Sequence, residues 1–188
     1  MDFSYNSETL IVIGASGTGK TTILKPIIEA IDRKIILDTD AEYPNSGSEI
    51  KVNSIYRPKA YDPNELEMFV SKCRAFYDFC MIIEDVDAYG INEFNVPSLK
   101  VVQVNGRHQA IGQIITSRRI TGLPMLMLMK AKYLIIFGIS KMFKSRAEYT
   151  NYIEFIPTLD YHFNFVPHEY VIYEMRLDVA TPIYHYKP

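Results

Sequence analysis

Gly14-Ala15-Ser16-Gly17-Thr18-Gly19-Lys20-Thr21 reads Gly-x-x-x-x-Gly-Lys-Thr in full. At that spacing a glycine-rich turn can wrap its backbone N–H groups around phosphate oxygens. The glycines let successive amides turn inward, the helix N-terminus that follows adds its dipole, Lys20 reaches the β- and γ-phosphates, and the Thr21 hydroxyl can ligate Mg²⁺. The predicted ligand is a nucleoside triphosphate, ATP with Mg²⁺, held by Gly14 to Thr21 and by Thr22. A second group is the apolar run Cys80-Met81-Ile82-Ile83, which ends in Glu84-Asp85. A phosphate site needs a carboxylate to hold Mg²⁺ through its waters, and often another to polarise the attacking water. By position Glu84 would serve the metal and Asp85 would be the catalytic carboxylate. Adjacent side chains point opposite ways on a strand, so Asp85 as the metal residue and a part for Asp87 both stay open.

These residues must be positioned by strands. Thr9-Leu10-Ile11-Val12-Ile13 is a short apolar run rich in β-branched residues, and it leads through the glycine loop into Thr21-Thr22-Ile23-Leu24-Lys25. That pattern predicts strand, loop and helix, with Pro26 in the helix's first turns, where a missing N–H costs least. Lys34 to Asp38 predicts a second strand, and Ile50 to Tyr56 an edge strand after the turn-rich stretch from Ala41. Asp62-Pro63-Asn64-Glu65 predicts an N-cap and an acidic first turn opening a helix through about Phe79, with Leu66, Phe69, Val70, Cys73 and Phe76 inward. Cys80 to Ile83, Gly112 to Ser117 and Tyr133 to Phe137 predict three further strands. Helices near Pro97–Ala110 and Pro124–Ala131 separate them, and another follows Ser140. Glu169–Met175 and Thr181–Tyr186 predict a terminal β-hairpin. The expected class is α/β: a mainly parallel sheet with helices on both faces and a C-terminal hairpin.

The chain has 188 residues, 48% hydrophobic and 22% charged, with a net charge of −2. That length predicts one domain spanning 1–188, with a core over about 9–140 and an extension over about 141–188. The charge balance gives no general argument for nucleic-acid binding, so any such contact must use local patches. Lys130 and Lys132 form one basic cluster; Lys141, Lys144 and Arg146 form another. Cys73 and Cys80 have no zinc-like spacing and read as buried free thiols. No apolar stretch reaches the roughly 20 residues of a membrane span, so a soluble protein with no integral membrane segment is expected.

Asn105-Gly106-Arg107-His108, then Thr116-Ser117-Arg118-Arg119 and Gly122-Leu123-Pro124, carry a resemblance. Gly-Arg-His before a strand, a Thr-polar-Arg strand tip and a Leu-Pro helix start resemble the FtsK–HerA superfamily of DNA-pumping ATPases. Within it the chain is similar to the compact genome-packaging ATPases of tailless icosahedral, membrane-containing viruses, including archaeal ones. The resemblance runs from about Leu10 to Phe137, and the terminal hairpin also fits. It implies a RecA-like P-loop NTPase fold and translocation of double-stranded DNA. It also implies a homo-oligomeric ring at a capsid vertex, in the host-cell cytoplasm or on the virion. The polar residue after the strand Thr is commonly a Gln that senses the γ-phosphate; here that position is Ser117, and Ser117 or Thr116 would contact phosphate or water. An arginine from a neighbouring subunit is implied to complete each site. Arg107 leads by its Gly-Arg-His context, with Arg118, Arg119 and Arg146 as rivals and His108 as a structural residue. A small-molecule kinase and a nucleotide-controlled assembly protein are the alternative functions.

Overall fold

Apolar runs are buried on both faces in a sheet covered by helices, and β1 (Thr9–Ile13), β4 (Phe79–Ile83) and β6 (Tyr133–Ile136) of the sheet formed here are of that kind. The computed structural model describes residues 2–43, 45–92, 95–139, 146–176 and 179–188, without the side chains of 146–148 and 176. In chain order the elements are β1 (Thr9–Ile13), α1 (Lys20–Glu29), β2 (Lys34–Leu37), β3 (Ser54–Tyr56), α2 (Pro63–Cys73), β4 (Phe79–Ile83), α3 (Pro97–Asn105), β5 (Ile111–Ser117), α4 (Met125–Lys130), β6 (Tyr133–Ile136), α5 (Arg146–Phe155), β7 (Tyr170–Arg176) and β8 (Val179–Tyr186). The strands join in one eight-stranded sheet, ordered β3-β2-β4-β5-β1-β6-β7-β8. It is parallel from β3 to β6, and β7 and β8 add an antiparallel hairpin at one edge.

Alternate residues of each strand face opposite sides. Ile11, Ile13, Met81, Ile83 and Ile115 pack with Leu66 and Phe69 of α2, Leu99 of α3, Leu128 of α4 and Tyr152 of α5. Leu10, Val12, Ile36, Cys80, Ile82 and Ile114 face the other way, onto Leu24 and Ile28 of α1 and onto Phe3 and Tyr5. Gly112 allows that last contact, since a Cβ there would overlap the Tyr5 carbonyl. Ile13 lies level with Ser117 and Ile136, and Ile83 with Leu37 and Ile115. The carboxyl ends of five strands therefore finish along one rim of the sheet. Because β7 is antiparallel to β6, with Val171 opposite Ile136, the segment entering β7 reaches the same rim.

Several boundaries differ from the sequence reading. α2 stops at Cys73 rather than near Phe79, because Phe79 opens β4, and Asp78, at φ 54°, turns the chain between them. The Asp62 cap is as expected, its carboxylate accepting from the N–H groups of Asn64 (2.8 Å) and Glu65 (3.0 Å). α3 ends at Asn105, and a 3-10 turn over Gly106–Gln109 replaces its last turn, stopped by Ala110 at φ 51°. Pro26 falls in the interior of α1 rather than its first turn. Cys73 and Cys80 are buried free thiols, with pKa values pushed up by burial. Lys141 and Lys144 lie outside the described residues, as does the side chain of Arg146.

Candidate phosphate site

The end of β1 can pass into the loop because position 14 is glycine. A Cβ built there would lie 2.7 Å from both Phe137 Cβ and Thr18 Oγ1. The Gly14 N–H donates to the Ser117 carbonyl (3.0 Å) and the Ala15 N–H to that of Gly138 (3.0 Å), which ties the loop to the tips of β5 and β6. Gly17 and Gly19 sit at φ 76° and 99°, the left-handed conformations that the turn requires. Lys20 Nζ folds back over the loop and donates to the carbonyls of Gly14 (2.8 Å) and Ala15 (3.4 Å). Burial lowers the Lys20 pKa, against the pull of Asp85, whose Oδ1 stands 4.0 Å from Nζ.

The tip of β4 supplies the carboxylates. Glu84 Oε1 accepts from the Tyr43 hydroxyl (3.1 Å), and the Glu84 carbonyl from that of Thr39 (2.6 Å). Its Oε2 is buried and has no partner among the described residues. Burial, then the charge of Glu42, raises the Glu84 pKa to about 8. Asp85 is held at φ 43°, a left-handed backbone of the strained kind that gathers at functional sites. Its N–H donates to Thr116 Oγ1 (2.7 Å). Arg118 pairs with it through Nε (3.1 Å) and extends to Asp40 (3.9 Å). Burial, then the Asp40 carboxyl, raises the Asp85 pKa to about 6.

These groups surround one cavity of ≈ 380 Å³ on the strand rim. Ser16, Gly17, Gly19, Lys20, Thr21 and Thr22 line it from the loop and α1, Glu84 and Asp85 from β4, and Thr116 from β5. Gly14, Ala15 and Thr18 shape the loop from behind. Ser117 turns away: it is fully buried and donates to Asp87 (3.1 Å) or the Arg119 carbonyl (2.7 Å). Asp87 also accepts from the N–H of Arg118 (2.9 Å) and from Arg119 Nε (3.4 Å), so it braces the β5 tip. Arg107 lies at the other end of the sheet, lining a ≈ 260 Å³ cavity with Thr9, Ile111, Gln113 and Lys132. There Gly106 is required because a Cβ would approach the Ile111 carbonyl at 2.9 Å. His108 is exposed on the same turn.

Sequence reading missed Asp40, Glu42, Tyr43 and His168, all of which line the cavity. The acidic stretch Asp38-Thr39-Asp40-Ala41-Glu42 directly follows an apolar strand, as Glu84-Asp85 does, and that was a usable signal. Nothing local marks His168. Only the antiparallel placement of β7 brings it to the rim.

The donor set fits Mg²⁺ held largely through phosphate and water. The Thr21 hydroxyl is 3.4 Å from Glu42 Oε1, and the orphaned Glu84 Oε2 and the Asp85 carboxyl belong to the same cavity. Among the described residues no three His, Cys, Asp or Glu groups form a protein cage for a metal. Mg²⁺ keeps several waters and takes one or two carboxylates plus substrate phosphates.

Neither a protein-family profile nor a curated protein matches the sequence. Solved structures share the fold, as the sequence resemblance implied. The genome packaging NTPase B204 of Sulfolobus turreted icosahedral virus 2 in complex with sulfate superposes with a TM-score of 0.76 at 16% identity, over 100% of this chain and 98% of that one. Its complex with AMP gives 0.72 at 17% identity, over 100% and 99%. The cytoplasmic domain of the Type VII secretion ATPase EccC of Thermomonospora curvata gives 0.63 at 11% identity, over 100% of this chain and 25% of that one. The chain thus shares the fold of the viral genome packaging NTPase, a mixed α/β fold whose eight-stranded, mostly parallel sheet ends here in the antiparallel β7–β8 hairpin.

Proposed function

We propose that the protein is a Mg²⁺-dependent ATPase that translocates double-stranded DNA and packages a viral genome into a capsid. The observation that carries the ATPase reading is the single cavity joining the glycine loop, Lys20 and Thr21 to the Glu84-Asp85 strand tip. The packaging assignment is supported by end-to-end likeness in fold to B204 and by the Gly106-Arg107-His108 and Thr116 to Arg119 sequences. On this reading 1–188 is one domain, with 141–188 an extension of the 9–140 core. Subunits form a ring at a capsid vertex, in the host-cell cytoplasm or on the virion.

The loop amides bind the phosphates, and Lys20 leaves the Gly14 carbonyl for the β- and γ-oxygens. Thr21 and Glu84 would hold Mg²⁺, Glu84 through water. When bound, the ion neutralises charge on the β- and γ-phosphate oxygens. Asp85, beside Lys20 and with a pKa of about 6, is charged at neutral pH and accepts the hydrogen bond of the attacking water. A base with a pKa near the working pH suits that task. Tyr43 fixes one oxygen of Glu84 and leaves the other for the metal's water. An arginine of a neighbouring subunit, with Arg107 the leading candidate, stabilises charge on the transferred phosphoryl group.

The test is ATP hydrolysis measured alone, with long duplex DNA, and with a panel of nucleosides. Phosphate release stimulated by DNA is expected. Transfer of phosphate to a nucleoside would show a kinase instead, and tight binding without turnover would show a nucleotide-controlled assembly protein.

A further inference from the structure

The orientation of a bound triphosphate is fixed by the loop chemistry. Backbone amides cradle the α- and β-phosphates, while the lysine reaches the β- and γ-phosphates. The γ end therefore lies with Lys20, Glu84 and Asp85, and the nucleoside lies away from those carboxylates. Two aromatic rings line the cavity: Tyr43 is tied to Glu84 at the carboxylate end, whereas His168 lies against Gly19 of the loop.

The backbone of His168 is tied to the phosphate loop. Its N–H donates to the Thr18 carbonyl inside the phosphate loop (3.0 Å). Its backbone is left-handed at φ 68°, a conformation that histidine visits more readily than bulky or β-branched residues. Its ring lies so close to Gly19 that a Cβ there would overlap Nδ1. The preceding turn is stapled: the Glu169 N–H donates to the Val166 carbonyl (3.1 Å), and the Glu169 carboxylate accepts from the Val166 N–H (3.2 Å). That carboxylate also meets His185 (2.9 Å) and Lys187 (3.8 Å) of the hairpin's last strand and the residues after it. Behind it, Tyr170 packs on Phe137 with ring centroids 5.1 Å apart. A planar, exposed ring is thus carried to the cavity on a backbone tied into the phosphate loop, as a stacking platform requires.

We propose that His168, carried to the phosphate loop by the C-terminal hairpin, stacks on the nucleobase of the bound triphosphate and so supplies base-dependent affinity. This rests on the nucleotide-binding reading of the cavity. Stacking explains why a residue 148 positions after Lys20 in sequence should be hydrogen-bonded into the loop. It also gives the hairpin a part in ligand binding beyond closing the sheet edge.

The experiment is equilibrium binding of ATP and of inorganic tripolyphosphate, each with Mg²⁺, to the full chain and to His168→Ala and His168→Phe. Alanine should weaken ATP about fivefold or more, the loss expected for one base–aromatic stack, and leave tripolyphosphate unchanged. Phenylalanine, which keeps the ring, should bind ATP more tightly than alanine does. Equal loss of both ligands in the alanine variant would show that His168 only shapes the loop, and would overturn the proposal. Unchanged ATP binding would overturn it as well. Failure of the unaltered chain to bind either ligand would instead remove the nucleotide-binding reading itself.

Discussion

Glu84 and Asp85 are carboxylates kept in surroundings that favour their protonated forms, and that has a measurable cost without ligand. Glu84 has a folded-state pKa of about 8 against an ordinary value of 4.5, and Asp85 about 6 against 3.8. In each case the folded state holds a proton that the unfolded state has already released. Stability contributed by these groups is therefore full below their ordinary values and is lost as pH rises through the folded ones. For Glu84 the window runs from pH 4.5 to about 8. Glu84→Gln removes the charge while keeping the shape, so the nucleotide-free variant should melt above the wild type at pH 8.5. The gap should shrink towards pH 5, and a gap independent of pH in paired melting curves would contradict this origin. Lys20→Ala acts on the same cavity in another way. The ammonium now shared by the Gly14 and Ala15 carbonyls is, on the proposed function, the group that reaches the phosphates, and its loss should cut turnover about a hundredfold or more. Phosphate release under saturating ATP checks this, with circular dichroism showing the fold retained.

Elements set how far those residues could be placed in advance. Asp62 caps α2 and does not line the cavity, so Asp62→Ala should cost about 1 kcal/mol in urea melts and leave ATP turnover unchanged. Gly112→Ala sets a methyl group against the Tyr5 carbonyl. It should destabilise by about 1–3 kcal/mol and raise amide exchange in residues 3–7. Strands were readable because β1, β4 and β6 are almost wholly apolar runs and β5 is broken only by Gln113 before its polar tip, and a helix-covered parallel sheet buries such runs on both faces. Boundaries were less readable. Between Phe69 and Ile83 no proline or glycine marks where α2 ends and β4 begins, and the left-handed backbone at Asp78 makes the division. The site divides the same way. Gly14 to Thr21 and Glu84-Asp85 are local patterns with one structural consequence. Tyr43 and His168 enter the cavity through the course of a loop and the antiparallel sense of β7, which are tertiary facts. Ser117 occupies the expected strand tip, yet its short hydroxyl is taken by Asp87 and the Arg119 carbonyl, while its neighbour Thr116 faces the cavity.

At the scale of the molecule, the arginines divide by what they already hold. Arg118 pairs with Asp85 and Asp40, and Arg119 with Asp87, so both are engaged in bracing their own rim. Arg107 is exposed, and no ion pair involves it among the described residues. It stands beyond the amino ends of β1 and β5, across the sheet from its own phosphate loop. It cannot serve that loop without refolding, but a head-to-tail ring sets one end of a subunit against the opposite end of the next. In such a ring every site draws on two chains, so two dead subunits can restore each other. Arg107→Ala subunits retain an intact cavity but offer no finger, whereas Glu84→Gln subunits retain the finger beside a disabled cavity. Each alone should show turnover lowered about a thousandfold, the scale of arginine-finger loss. Mixed in equal amounts, they should regain a measurable fraction of wild-type hydrolysis, because an interface pairing an Arg107→Ala cavity with a Glu84→Gln neighbour carries a complete set of groups. Recovery should follow the binomial frequency of that pairing as the mixing ratio is varied. Activity that stays at the level of the separate variants at every ratio, in mixtures shown by light scattering to co-assemble, would exclude Arg107 as the group acting across the interface.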